Sequence, residues 1–260
     1  YAERLREDVE TVWNEITWRL QGEERARGEF DRVHAAPASS ADIPDLENTR
    51  LVIVHPRHSV RRQDGPDSAA LRWVRKAIET RGAGQRVHRN TLVFLLADSN
   101  QLETLEAATR ALLGWKQVQD NSETLNLTAQ QSRQTDDWVA RLDQTVTDRI
   151  RDTFVWAVYP EQFDPARPFE LVVDKVPEAG GRSLAERVSA KLSRDDQFVT
   201  TFGAPILGAV LHGELGALWK EQGEITVSQL WGYFTRYVYM PRLVNREVLD
   251  ETIRQSLAAV

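Results

Sequence analysis

The run Arg89-Asn90-Thr91-Leu92-Val93-Phe94-Leu95-Leu96-Ala97-Asp98-Ser99-Asn100 constrains the fold more than any other stretch of this chain. A strand with six consecutive apolar residues has no face to give to water, so it must be covered on both sides, as strands of parallel sheets in α/β proteins are. Helix-capping chemistry follows at once, with Asn100 and Glu103 spaced as a capping box ahead of the stripe Leu102, Leu105, Ala108, Leu112 and Leu113. Ligands of α/β proteins sit at such carboxyl strand ends. The expected pocket there would involve His55, Asp98, Asn100 and Tyr159.

The rest of the chain reads as an α/β protein with a mixed, mainly parallel sheet of at least four strands flanked by helices, and a helical carboxy-terminal subdomain of winged-helix-like layout. Residues 3–20 carry Leu5, Val9, Val12, Trp13, Ile16 and Leu20 at helical spacing. Residues 22–48 hold two prolines and no periodicity, and are expected to be a connector that separates this helix (1–49) from the α/β domain (50–176). Strands are expected at Leu51–His55, Thr91–Ala97, Phe154–Tyr159 and Phe169–Val173, with a helix capped by Asp67 between the first two. The helix expected from Thr128 to Ile150 has a stripe of only Val139, Leu142, Val146 and Ile150, so it either lies on the surface or meets a partner. In the subdomain 177–260, capping boxes at Ser183/Glu186 and Thr226/Gln229 open two helices. Another helix, carrying Leu218 and Trp219, follows Pro205, and a last one runs from about Arg246 to Leu257.

Charge is uneven. The chain has a net charge of −6, yet residues 50–90 carry +7 against −13 for the remainder. Arg57, Arg61, Arg62, Arg72, Arg75 and Arg89 are the candidates in this basic region for binding an anion, nucleic acid or an acidic partner. The segment Gly223 to Trp231 has a helix-turn-helix layout, but Arg236 is the only cation between Val227 and Met240. An aromatic helix of this kind suits a core or a protein interface better than base readout.

The chain holds no cysteine, which excludes disulfides, thiolate metal sites and cysteine nucleophiles. It has no apolar run of membrane-spanning length, and the expected setting is cytoplasmic. His55-x-x-His58 is the only close histidine pair and lacks a third ligand nearby, so no metal is expected. Neighbouring acids such as Asp136-Asp137 diverge on a helix and cannot share a proton. There is no phosphate loop, nucleophile elbow or dinucleotide fingerprint, and no catalytic residue is assigned. The only methionine is Met240 and the chain starts at Tyr1, so it reads as a part cut from a longer protein.

Three segments together resemble a known family. These are Pro37–Pro56, with Ala-Asp-Ile-Pro-Asp and then Arg-Leu-Val-Ile-Val-His-Pro; Arg89–Trp115; and Leu230–Leu249, with Leu-Trp-Gly-Tyr-Phe-x-Arg-Tyr-Val-Tyr-Met-Pro-Arg-Leu. They are similar to the central-to-late part of large bacterial AAA+ ATPases, among them the phage-growth-limitation ATPases of BREX-type defence systems. The resemblance implies that ATP and Mg are bound by an amino-terminal P-loop domain outside this chain, and that this chain itself holds no cofactor. Its partners would be that ATPase domain, proteins of a defence complex, and DNA as a further candidate. The expected role is a non-catalytic accessory region. The alternatives are a nucleic-acid-binding module using residues 50–90 and a small-molecule enzyme using the strand ends.

Overall fold

A computed structural model describes residues 2–178, 180–213, 215–216 and 223–258, with the backbone course alone for residues 2–7. In chain order the elements are α1 (Ala2–Gly22), β1 (Arg32–Ala35), β2 (Arg50–Ile53), α2 (Ala69–Glu79), a short hairpin of β3 (Thr80–Arg81) and β4 (Gly84–Gln85), and β5 (Leu92–Ala97). The long helices α3 (Ser99–Asp120) and α4 (Ala129–Thr153) come next, followed by β6 (Phe154–Glu161) and β7 (Glu170–Lys175). The carboxy-terminal helices are α5 (Leu184–Arg194), α6 (Ala204–His212), α7 (Val227–Arg236) and α8 (Arg246–Ala258).

The fold is α/β, and its main sheet has five strands in the order β1-β2-β5-β6-β7. The first three strands run parallel, and β6 and β7 are antiparallel to their neighbours. The apolar run identified from sequence is the middle strand, and all six residues of β5 are buried. Alternation assigns them to two layers. Val93, Leu95 and Ala97 join α1, α3, α4 and α5 on one face, while Leu92, Phe94 and Leu96 face α2 on the other. Near Ala97 the β5–β6 register shifts, and the consecutive residues Val155 and Trp156 both lie in the α2-side layer, as a β-bulge requires.

Residues 22–48 are more than a connector. They supply β1, which pairs with β2 from Arg32↔Arg50 to Ala35↔Ile53, so a domain boundary at residue 50 would cut the sheet. Val12, Ile16 and Leu20 of α1 are buried in the same core. Two caps also differ from expectation. Asp98 caps α3, its Oδ1 accepting from Asn100 N at 2.9 Å, so the Asn100/Glu103 box does not form. Ser68 caps α2 in place of Asp67. The boxes at Ser183/Glu186 and Thr226/Gln229 form as expected.

The thin stripe of α4 has its partner within the chain. α4 lies against α3, and Val146 and Ile150 are buried there. α1 runs beside both helices, linked by Lys116–Glu15 at 3.4 Å and Arg19–Asp143 at 2.5 Å. Farther out along the α3–α4 pair, Trp115 and Trp138 stack at 5.9 Å and 15°, and both remain exposed.

The carboxy-terminal helices have their own core, which includes Leu207, Val210, Leu230, Trp231, Phe234 and Leu249. The only strand-like contact among its described residues is the bridge Val199↔Leu243, so no wing is seen there. The expected continuation of the post-Pro205 helix through Leu218 and Trp219 lies outside the described residues.

Candidate functional site

The carboxyl end of β5, where a ligand pocket was expected, is sealed. After β2 the chain turns through a short 3-10 helix (Pro56–His58) and returns to β5. Val60 N donates to Ala97 O at 2.9 Å, and Ser99 N donates to Val60 O at 2.9 Å, so the ladder continues past the strand end. Val60 is fully buried, and the Ser59 and Ser99 hydroxyls meet at 2.9 Å above it. An apolar side chain thus fills the crevice that α/β proteins leave for a ligand.

The four pocket candidates have other employment. His55 accepts from Arg57 N at 3.1 Å and Arg57 Nε at 3.2 Å through Nδ1, and its ring meets Trp13 edge-on at 5.4 Å. Burial, with the charges of Arg57 and His58 added, lowers its pKa from 6.5 to about 4, so the imidazole is neutral near pH 7. Asp98 and Asn100 are occupied in the cap, Asn100 Nδ2 also lying 3.0 Å from Asp98 Oδ1. Tyr159 is far from all three. It pairs with Val172, five residues along β6 from the Phe154 that faces Ala97, a run of roughly 17 Å. Its hydroxyl donates to Asp174 Oδ2 at 2.8 Å, and burial together with that carboxylate raises its pKa. The grouping of His55, Asp98, Asn100 and Tyr159 in one pocket is therefore wrong: the antiparallel course of β6 carries Tyr159 to the opposite end of the sheet.

A cleft does adjoin Asp98 on the β7 side. It has a volume of about 510 Å³, and its charged lining is Asp98, Asp152 and Glu178 against Arg149 and Lys175. Arg149 and Asp152 pair with each other at 3.7 Å. Among the described residues, no group of three or more His, Asp or Glu could hold a metal ion.

The basic candidates do not form one surface either. Arg57, Arg61 and Arg62 are exposed in the loop at the carboxyl end of β5. Arg72 is exposed near the start of α2 and donates to Asp67 O at 2.7 Å. Arg75 turns away from that loop, stacking at 4.8 Å on Phe169 and donating to Phe169 O at 3.0 Å. Arg89 lies before the start of β5, with Nε bonded to Arg86 O at 3.1 Å. The length of β5, about 20 Å, separates it from Arg57, Arg61 and Arg62.

Two arginines counted in the basic region are inside the protein. Arg50 and Arg86 are 0% and 1% exposed. Arg50 donates to the carbonyls of Asn48, Leu46 and Pro44, and Arg86 to those of Ala77, Ile43, Ser40 and Pro44. Together they fasten the loop 40–48 that joins β1 to β2. A third, Arg242, closes the joint between the sheet and the carboxy-terminal helices. It donates to Asn90 O at 3.0 Å, Asn90 Oδ1 at 3.2 Å and Pro160 O at 2.9 Å, and its guanidinium lies 5.4 Å from the centre of the Tyr159 ring. Asn90 in turn donates to the carbonyls of Phe234 and Met240, each at 3.0 Å. Burial lowers Arg50 and Arg242 to about 10, which still leaves both cationic near pH 7. Sequence offered one faint signal for this role: Arg242 sits among Met240, Leu243 and Val244, with no other charge nearby.

No protein-family model matches this sequence, and no curated protein or solved structure matches it. Among the described residues, no helix is long and apolar enough to cross a membrane.

Proposed function

We propose that this chain is a non-catalytic interaction region of a larger, defence-related AAA+-type ATPase, coupling ATP hydrolysis elsewhere in the parent to engagement of a partner. The observation that carries the reading is the sealed end of β5. With Val60 buried between the β2 loop and α3, the strand end has no room for a substrate, and its polar side chains are already committed to caps and turns. Exposed surface features fit contact better than chemistry: the stacked Trp115 and Trp138, with Arg141 5.8 Å from the centre of the Trp138 ring, combine residue types enriched at binding hot spots. ATP and Mg belong, in this reading, to a P-loop domain of the parent.

The test is a titration of this chain with a fluorescent ATP analogue and Mg, run beside a phosphate-release assay. Neither saturable binding nor turnover is expected; micromolar binding or measurable hydrolysis would sink the proposal. A second reading, nucleic-acid contact, rests on the exposed Arg57, Arg61 and Arg62. It requires binding to duplex or single-stranded DNA that weakens steeply with salt and is lost when all three are changed to Glu. Salt-insensitive binding, or none at low salt, removes it.

A further inference from the structure

The two edges of the main sheet are treated differently. At one edge β1 is only four residues long, and the carboxylate of Glu24 accepts from Ala35 N at 2.9 Å, capping an edge donor. The chain then leaves the sheet at Ala36, in the left-handed region at φ 47°. Short length, a covering charge and a kink are the usual protections of an edge strand.

The other edge, β7, lacks them. It is six residues long, and among the described residues it pairs with β6 alone. Pro160 has no N–H to give Leu171, whereas Val176 N donates to Val155 O at 2.7 Å. The hydrogen-bonded partners of β6 are therefore Val172, Asp174 and Val176, and the backbone groups of Leu171, Val173 and Lys175 point outward. Leu171, Val172 and Val173 are only half-buried, so the strand is apolar on both faces at its open edge. The loop leading into it exposes Phe163 to 87%.

We infer that β7 is the seam of a homodimer, pairing antiparallel with β7 of a second copy so that the two sheets become one across a twofold axis. Charge selects both this occupant and its register. Outward residues must face outward residues, so a twofold axis passes through a single residue and its copy. An axis at Val172 sets Glu170 against Asp174, one at Asp174 sets Asp174 against itself, and one at Lys175 sets lysine against lysine; like charges directly opposite are unfavourable. An axis at Leu171 leaves most of the strand unpaired. An axis at Val173 gives the longest ladder, with about six new hydrogen bonds. It places Leu171 opposite Lys175, whose methylene stem can cover it, Val172 opposite Asp174, and Glu170 opposite Val176. No like charges meet. The loop bearing Phe163 then adjoins the other copy's chain beyond Val176.

This inference goes beyond the proposed function and is tested separately, by mass. Sedimentation velocity across a concentration series should give about twice the 29.6 kDa of one chain. Val173→Pro removes the central outward N–H without touching the β6 ladder, and Val173→Lys sets two lysines face to face; each should yield monomer with unchanged far-UV circular dichroism. If the proline variant fails to fold, the lysine variant decides. Because the chain has no cysteine, Val173→Cys gives a clean positional readout. Facing residues of a bonded pair lie about 5.5 Å apart, within disulfide reach, so oxidation should cross-link this variant but not Ala107→Cys on the exposed face of α3. A monomeric parent chain at every concentration, a dimer that survives Val173→Lys, or a Val173→Cys dimer that does not cross-link would each overturn it.

Discussion

The two ends of β5 use opposite means to do the same work. At the carboxyl end one apolar residue, Val60, fills the crevice and lets the backbone ladder run on into α3. Below the amino end, Asn90 and the buried Arg242 satisfy five carbonyl and amide oxygens across the joint with the carboxy-terminal helices, while Arg50 and Arg86 do the same for the 40–48 loop. The difference teaches how to read polar residues here. Those at the end that looks like a site are caps, and those hidden at the far end carry the architecture. A buried arginine with only carbonyl partners is costly to desolvate, yet costlier to remove once its acceptors are enclosed.

Three measurements would break or sharpen this contrast. The largest effect is expected from Arg242→Met, which leaves the carbonyls of Asn90 and Pro160 without a donor; urea unfolding should show a loss of about 3–5 kcal/mol. A loss below about 1 kcal/mol would mean that the polar joint contributes little. Val60→Ala should cost about 2 kcal/mol, by lost burial plus a small cavity, and should create no ligand binding at the strand end. A loss near zero would show that the plug is loosely packed.

The smallest effect is a pH slope. His34, His55, His58 and His88 all have lowered pKa values, with burial the first cause in each. The unfolded chain therefore takes up protons first. Their contribution is complete above pH 6.5 and is lost as pH falls toward about 4, the folded value for His55. For this part-exposed ring the loss is about 1 kcal/mol after allowing for solvent screening. Unfolding free energies measured between pH 7 and 4 should decline, and His55→Gln should flatten the decline; a flat parent profile would refute the assignment.

How much was legible in the sequence follows from these physical differences. β2, β5 and β6 announce themselves because burial on both faces demands continuous apolar residues. β1 does not, because an edge strand can read Arg-Val-His-Ala and still pair. Asp98 is visible as a helix start because capping is local, although the residue that caps was misassigned to Asn100. The plug is invisible: Val60 is one apolar residue in a polar loop, and only the chain's return to β5 gives it a role. The buried arginines are equally hidden, since arginine in a sequence is by default a surface residue. Tyr159 was misplaced because strand direction is not written in a strand's composition.

The joint between Asn90 and Arg242 also orders events in time. Its two halves are 152 residues apart in the chain. Contacts of such separation form late, after local helices and neighbouring strands have already collapsed. A ribosome must deliver nearly all of the carboxy-terminal helices before Arg242 can reach Asn90. For that interval the base of β5 is an open, polar-lined wound in an otherwise formed sheet, and the closing of this one contact marks the moment at which the protein becomes whole.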